Sequence, residues 1–159
     1  MPKRNLPVLI GFIILCEFVG AIGFMIASPS LSTWYLFLRK PPFMPSVPVM
    51  GLVWAILYLL MGISAYLIYK QHAGYRTIVN NAMYMFILQL IISLILWAAF
   101  FDLMSIAGGF AVTTVLWIAL FFTIMEFYRI DSKAAWLLVP YILWVTFLTL
   151  AAYSLLTLN

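Results

Sequence analysis

Residues 34–58 read WYLFLRKPPFMPSVPVMGLVWAILY and join two long apolar runs, residues 6–27 before them and residues 47–69 into which they lead. Each run has about the twenty apolar residues that carry an α-helix across the hydrocarbon of a bilayer. The junction itself holds Arg39 and Lys40, then Pro41, Pro42, Pro45 and Pro48. Each proline fixes its own φ and biases the preceding residue toward extended backbone. A segment built this way is stiff, and its aromatics are of the types enriched at a membrane interface. We read it as a structured lid, formed by Trp34, Tyr35, Lys40, Pro41, Phe43 and Pro45, over one end of a helical bundle.

Working outward, three further runs qualify as spans, approximately residues 79–101, 105–128 and 134–156. The 159-residue sequence is 67% hydrophobic and 8% charged, whereas a soluble domain is nearer half apolar and a quarter charged. That leaves too little polar surface to cover a water-soluble globule. Backbone polar groups in hydrocarbon must be satisfied within the chain, and the alternating ten-residue pattern of a membrane barrel is absent. The expected fold is all-α: an integral membrane bundle of five transmembrane helices, forming one domain over residues 1–159. The apolar run at 6–27 is longer than a signal-peptide core and is followed by a poor cleavage site, Ser28-Pro29-Ser30, so it reads as a retained span. An odd number of spans without a repeat argues against the paired inverted repeats of many transporters.

Charge orients the bundle. Lys3, Arg4, Lys70, Arg76, Arg129 and Lys133 fall on one side, and Arg39 and Lys40 on the other. By the positive-inside rule the N-terminus is expected in the cytoplasm, with the lid and the C-terminus on the opposite face. The net charge of +4 is scattered in pairs between apolar runs, which gives nucleic acid no basic face to dock on. One cysteine, Cys16, and one histidine, His72, exclude a disulfide and a His/Cys metal site. No metal is expected and no cofactor is required.

Several polar and aromatic residues within the spans are candidates for a site. Glu17 lies near the middle of the first span, where a carboxylate is costly and either faces a wet interior or stays protonated against a neighbouring helix. Trp54, Tyr58 and Met61 fall at i, i+4, i+7 on the second span, the spacing of one helical face. Gln89, Ser93 and Trp97 share a face of the third span, at i, i+4, i+8. Such stripes serve helix packing, and they equally line an apolar pocket in which indole N–H and tyrosyl O–H groups anchor a ligand. In the fifth span Pro140 removes a helix hydrogen bond, and a kink is expected there, with Tyr141, Trp144 and Phe147 after it. Glu126 and Arg129 read as a solvated pair at the interface.

The loop pattern Trp34-Tyr35-x-x-Leu38-x-Lys40-Pro41-x-Phe43-x-Pro45 resembles the signature of the TspO/MBR family, the tryptophan-rich sensory proteins and translocator proteins. The resemblance continues through Gly51-x-x-Trp54-x-x-Leu57-Tyr58-x-x-Met61-Gly62, Gln89-Leu90, Phe100-Phe101 and Ala134-Ala135-x-Leu137-Leu138-x-Pro140-Tyr141-x-x-Trp144-x-x-Phe147. It implies a five-helix membrane protein, commonly a homodimer, whose pocket below the first loop binds porphyrins, sterols and synthetic ligands. On that resemblance Trp54, Tyr58, Gln89, Ser93, Trp97, Trp144 and Phe147 are the ligand-binding residues, the ligand is porphyrin-like, and the remaining partners are membrane lipid and a second copy of the chain. Trp54 and Trp144 match the tryptophans that the family associates with light-dependent breakdown of protoporphyrin.

The sequence departs from the family pattern at four places. Ser93 stands where Asn is usual, Val112 where Asp is common, and Ala152 where Asn is found. The tryptophan of the third span is displaced by one residue, to Trp97, a turn of about 100° around the helix. No basic residue follows Tyr153, which argues against sterol binding through the C-terminal pattern. Three functional classes follow: a membrane receptor or sensor for a tetrapyrrole, a transporter of such ligands, and a porphyrin-degrading protein. Ordinary hydrolytic or transfer chemistry lacks a nucleophile–base pair, a metal cluster or a phosphate loop.

Overall fold

A computed structural model describes residues 5–159 and places five long apolar helices among them. Helix α1 spans Leu6–Leu31, α2 Val47–Tyr69, α3 Arg76–Trp97, α4 Ile106–Ile130 and α5 Ser132–Leu158. Lys3 and Arg4, on which the orientation count partly rests, lie outside the described residues. The helices run past the expected spans at most ends. Helix α1 continues through Pro29 to Leu31, and the Ser30 hydroxyl donates to the Phe101 carbonyl, tying that extra turn to the end of α3.

Local chemistry sets the boundaries. Pro48 occupies the first turn of α2, where its missing N–H costs no helix bond. Ser105 starts α4 by accepting the Gly108 N–H at 2.9 Å. Asp131 starts α5 by accepting the Lys133 N–H at 2.9 Å, and such side-chain caps satisfy otherwise orphaned donors. Helix α5 is continuous through Pro140. The carbonyl that loses its helix donor belongs to Trp136, an exposed residue four positions before the proline.

The helices close into a ring. α1 packs on α2, α2 on α5, α5 on α4, α4 on α3, and α3 back on α1. Close approach of α1 and α2 depends on Gly62, where an added Cβ would fall 2.6 Å from the Ile13 Cα. Outward faces carry large apolar side chains such as Ile14, Phe18, Leu52, Ile91 and Leu143. With lipid as solvent those faces are the expected exterior, and the interior is packed around Tyr58, Met61, Phe86, Leu116, Leu138 and Tyr141.

One irregularity shapes the site. Beyond Trp97 the third helix widens into a π-turn over Ala98–Asp102. A turn of this type is uncommon and is frequently found at functional sites. Two residues beyond it lies Met104, whose φ of 51° is the one positive value among the described non-glycine residues.

Candidate ligand cleft

The residues following α1 form a short 3₁₀ turn, Trp34–Phe37, and then an irregular proline-rich segment that leads into α2. Tyr35 is buried beneath this cap, and Lys40 lies over its ring with Nζ 4.4 Å from the centroid. The same ammonium donates to the Leu38 carbonyl at 3.4 Å. Burial pushes the Tyr35 hydroxyl above its ordinary pKa. Phe43 packs edge-on to Phe147 of α5 at 5.9 Å between centroids, and Trp34 and Tyr35 both contact Phe100. The loop is thus seated on the bundle by aromatic contacts at several points.

Under it lies a cleft, partly open to the outside, with a cavity volume of about 100 Å³. Tyr35 and Met44 form its roof, Trp54 and Trp97 its inner end, Phe100 and Phe101 one wall, and Leu148, Ala151 and Leu155 of α5 another. The lining is almost wholly apolar.

Trp54 is the hub. Its ring stacks on Tyr58 at 5.5 Å, tilts against Trp97 at 5.4 Å, and meets Tyr141 and Trp144 edge-on at 6.0 and 6.5 Å. Beyond it Trp97 stacks on Phe101 at 5.7 Å, and Trp144 stacks on Phe147 at 5.3 Å. A polar line runs inward from the cleft. Trp97 Nε1 donates to the Tyr58 hydroxyl at 3.4 Å, that hydroxyl is 3.4 Å from Ser93 Oγ, and Ser93 donates to the Leu90 carbonyl at 2.8 Å. One turn deeper, Gln89 Nε2 faces Met61 Sδ at 3.7 Å. Gln89 Oε1, the Tyr141 hydroxyl and Trp144 Nε1 are buried with no partner among the described residues.

The expected site residues therefore divide. Trp54 and Trp97 line the cleft, and so does Tyr35 of the lid. The one-residue displacement of Trp97 does not turn it away. Tyr58, Gln89 and Ser93 are fully enclosed in the bundle behind the cleft, while Trp144 and Phe147 stand beside it, joined through Trp54 and Phe43. Glu17 is part-exposed on α1 and is not among the lining residues. Phe24, Met50, Phe100, Phe101, Gly109 and the small residues Ala151 and Ala152 also line the cleft, and sequence reasoning did not assign them. The spacing of Trp97, Phe100 and Phe101 at i, i+3, i+4 was the available signal for the first wall. Leu148, Ala151 and Leu155, at i, i+3, i+7, gave a similar one for α5.

Comparison with known proteins agrees with this architecture. The model of the TspO/MBR family matches residues 12–158. The chain is 33% identical to the tryptophan-rich protein TspO of Chlorobaculum tepidum, with 91% of each chain covered. It is 31% identical to the translocator protein of Homo sapiens, over 85% of this chain and 87% of that one. Protein CrtK of Rhodobacter capsulatus is 30% identical, over 93% and 90%. With its five apolar helices and a match over nearly its whole length, this chain is a multi-pass integral membrane protein of the TspO/MBR family.

Proposed function

We propose that the chain is a membrane receptor or sensor for a broad, flat, apolar ligand, a tetrapyrrole such as protoporphyrin, bound in the cleft beneath the first loop. The observation that carries this reading is the cleft itself: an aromatic-walled, almost wholly apolar volume ending at Trp54 and Trp97. Flat ring systems gain dispersion and stacking energy against indole and phenyl faces. Lys40, held over Tyr35 at the roof, supplies a cation at the rim for a ligand carboxylate. Names of relatives such as sensory protein and translocator protein fit a receptor or a transporter. Saturable quenching of tryptophan fluorescence by protoporphyrin tests the reading. It should weaken in the Trp54→Phe, Trp144→Phe double variant, and an absence of saturable quenching in the wild type would overturn it.

A second reading rests on the perpendicular contact of Trp54 and Trp144 at 6.5 Å. Trp54 lines the cleft and Trp144 packs against it, so an indole is placed to give an electron to a photoexcited porphyrin held there, and with dioxygen as the oxidant light-dependent breakdown of the ligand is open to this site. Irradiation should then bleach the porphyrin absorption band faster with the protein than without it; equal rates would remove this reading. In either case we infer a homodimer from the family resemblance, and from the distribution of Lys and Arg an orientation with the lid and Asn159 on the face opposite the cytoplasm.

A further inference from the structure

The wall residue Phe100 rests against a position that has no side chain. Gly109, on the first turn of α4, lies so close that an added Cβ would fall 2.4 Å from Phe100 Cδ2 and 3.3 Å from its Cβ and Cγ. Both residues line the cleft. Contacts that short do not occur between real atoms, so any other residue at position 109 must displace the ring. Helix formation gives no reason for the glycine, which is a poorer helix former than alanine.

The ring has few directions in which to move. Phe101 stands 4.8 Å from it, Trp34 5.4 Å and Tyr35 6.4 Å, between centroids. Its backbone is held as well. The π-turn is closed by the Leu103 N–H on the Ala98 carbonyl at 2.9 Å, and the Ser30 hydroxyl holds the Phe101 carbonyl. With the backbone pinned and three aromatic rings packed against it, Phe100 is only part-buried and borders the open volume of the cleft that it lines. The clash at Gly109 is with a side chain only. At Gly62, by contrast, it is with the backbone of a neighbouring helix. Strain at position 109 is therefore relieved by moving a ring, without parting two helices.

We propose that Gly109 is a specificity-determining residue: by seating Phe100 against α4 it sets how far that ring reaches into the cleft, and so how broad a ring system the cleft admits. This rests on the binding reading above and adds to it the residue that sets the width of the site.

The test is a protoporphyrin titration, followed by tryptophan quenching, of the full-length protein in lipid nanodiscs. It compares the wild type, Gly109→Ala, Phe100→Ala and the double variant, with thermal unfolding of each as the control for folding. Gly109→Ala should weaken binding about tenfold, the scale of an overpacked contact. Phe100→Ala removes a wall of the site and should itself weaken binding, and the double variant should match Phe100→Ala, because the added methyl then has no ring to displace. If Gly109→Ala fails to fold, adding Phe100→Ala should restore folding, and binding to the level of Phe100→Ala alone. A Gly109→Ala protein that binds like wild type overturns the proposal, and so does a Gly109→Ala change that weakens binding as much in the Phe100→Ala background as in wild type, or a failure of folding that Phe100→Ala does not rescue. A wild type without saturable quenching overturns the binding reading itself, and the width assignment with it.

Discussion

Asn159 clasps the backbone of Arg39: its side-chain oxygen accepts the Arg39 N–H at 3.1 Å, and its amide donates to the Arg39 carbonyl at 3.0 Å. The same amide reaches the Leu155 carbonyl at 2.9 Å, so one side chain ties the lid to the end of α5, one turn from a residue that lines the cleft. Elsewhere the lid is held by aromatic contacts and by the stiffness of its prolines. Asn159→Ala should therefore loosen the lid without unfolding the bundle. Since a hydrogen bond in water is worth about 0.5–1.5 kcal/mol net, losing this pair should speed release of bound protoporphyrin by several-fold to about tenfold in stopped-flow measurements. Thermal stability should change little.

A different outcome is expected at Ser30. Its hydroxyl is buried and donates to the Phe101 carbonyl within the π-turn. Ser30→Ala leaves that carbonyl without this donor, at a cost of about 1–3 kcal/mol. The expected result is a lower unfolding temperature in detergent, with ligand affinity falling as well because the Phe100–Phe101 wall loses its anchor.

The glycines of α1 and α2 separate packing from propensity. Gly62→Ala places a methyl against the Ile13 backbone, at 2.6 Å from its Cα and 2.9 Å from its nitrogen. That contact is relieved only by moving α1 away from α2, and overpacking of this kind costs about 1–3 kcal/mol or more. Gly11→Ala meets nothing within 4 Å and should be neutral or stabilising by up to about 1 kcal/mol, the helix-propensity difference. Thermal unfolding of the two variants side by side measures the contrast.

Gln89 tests which polar residues belong to the site. It is fully buried, its Oε1 has no partner among the described residues, and its amide faces only a thioether. Gln89→Leu removes a polar group whose burial costs about 1–3 kcal/mol when unpaired, with little change in volume. Stability should hold or rise, and protoporphyrin affinity should stay within about twofold of wild type. A large loss of affinity would instead make Gln89 a ligand contact.

The sequence was informative to different degrees for the fold and for the site. Five spans, their helical character and the capping role of residues 34–45 all follow from length, apolarity and proline chemistry, because a bilayer leaves few alternatives. The extension of α1 to Leu31 was harder to see: Ser28-Pro29-Ser30 reads as a break, yet the turn is held by a contact from Ser30 to residue 101, far away in sequence. The site was legible where chemistry is visible in a side chain, as at Trp54 and Trp97. It was illegible where the cleft is defined by what is missing, as at Gly109, Ala151 and Ala152. Tyr58, Gln89 and Ser93 share faces with lining residues, and periodicity alone does not give depth along a helix. The π-turn that turns Phe100 and Phe101 toward the cleft left no signal beyond two adjacent phenylalanines.

The central claim is that the cleft beneath the first loop holds the ligand, and Gly51 gives direct access to it. Gly51 lines the cleft, and an added Cβ there meets nothing within 4 Å. Gly51→Leu therefore adds a side chain at the cleft wall without displacing a neighbour, and should obstruct the cleft while leaving the helices in place. The measurement is a protoporphyrin titration of wild-type and Gly51→Leu protein in nanodiscs, read by tryptophan quenching. Saturable quenching in the wild type, lost or weakened at least about tenfold in a Gly51→Leu protein of unchanged thermal stability, is the result this account predicts. Equal saturable quenching in both proteins would place the ligand elsewhere and contradict it.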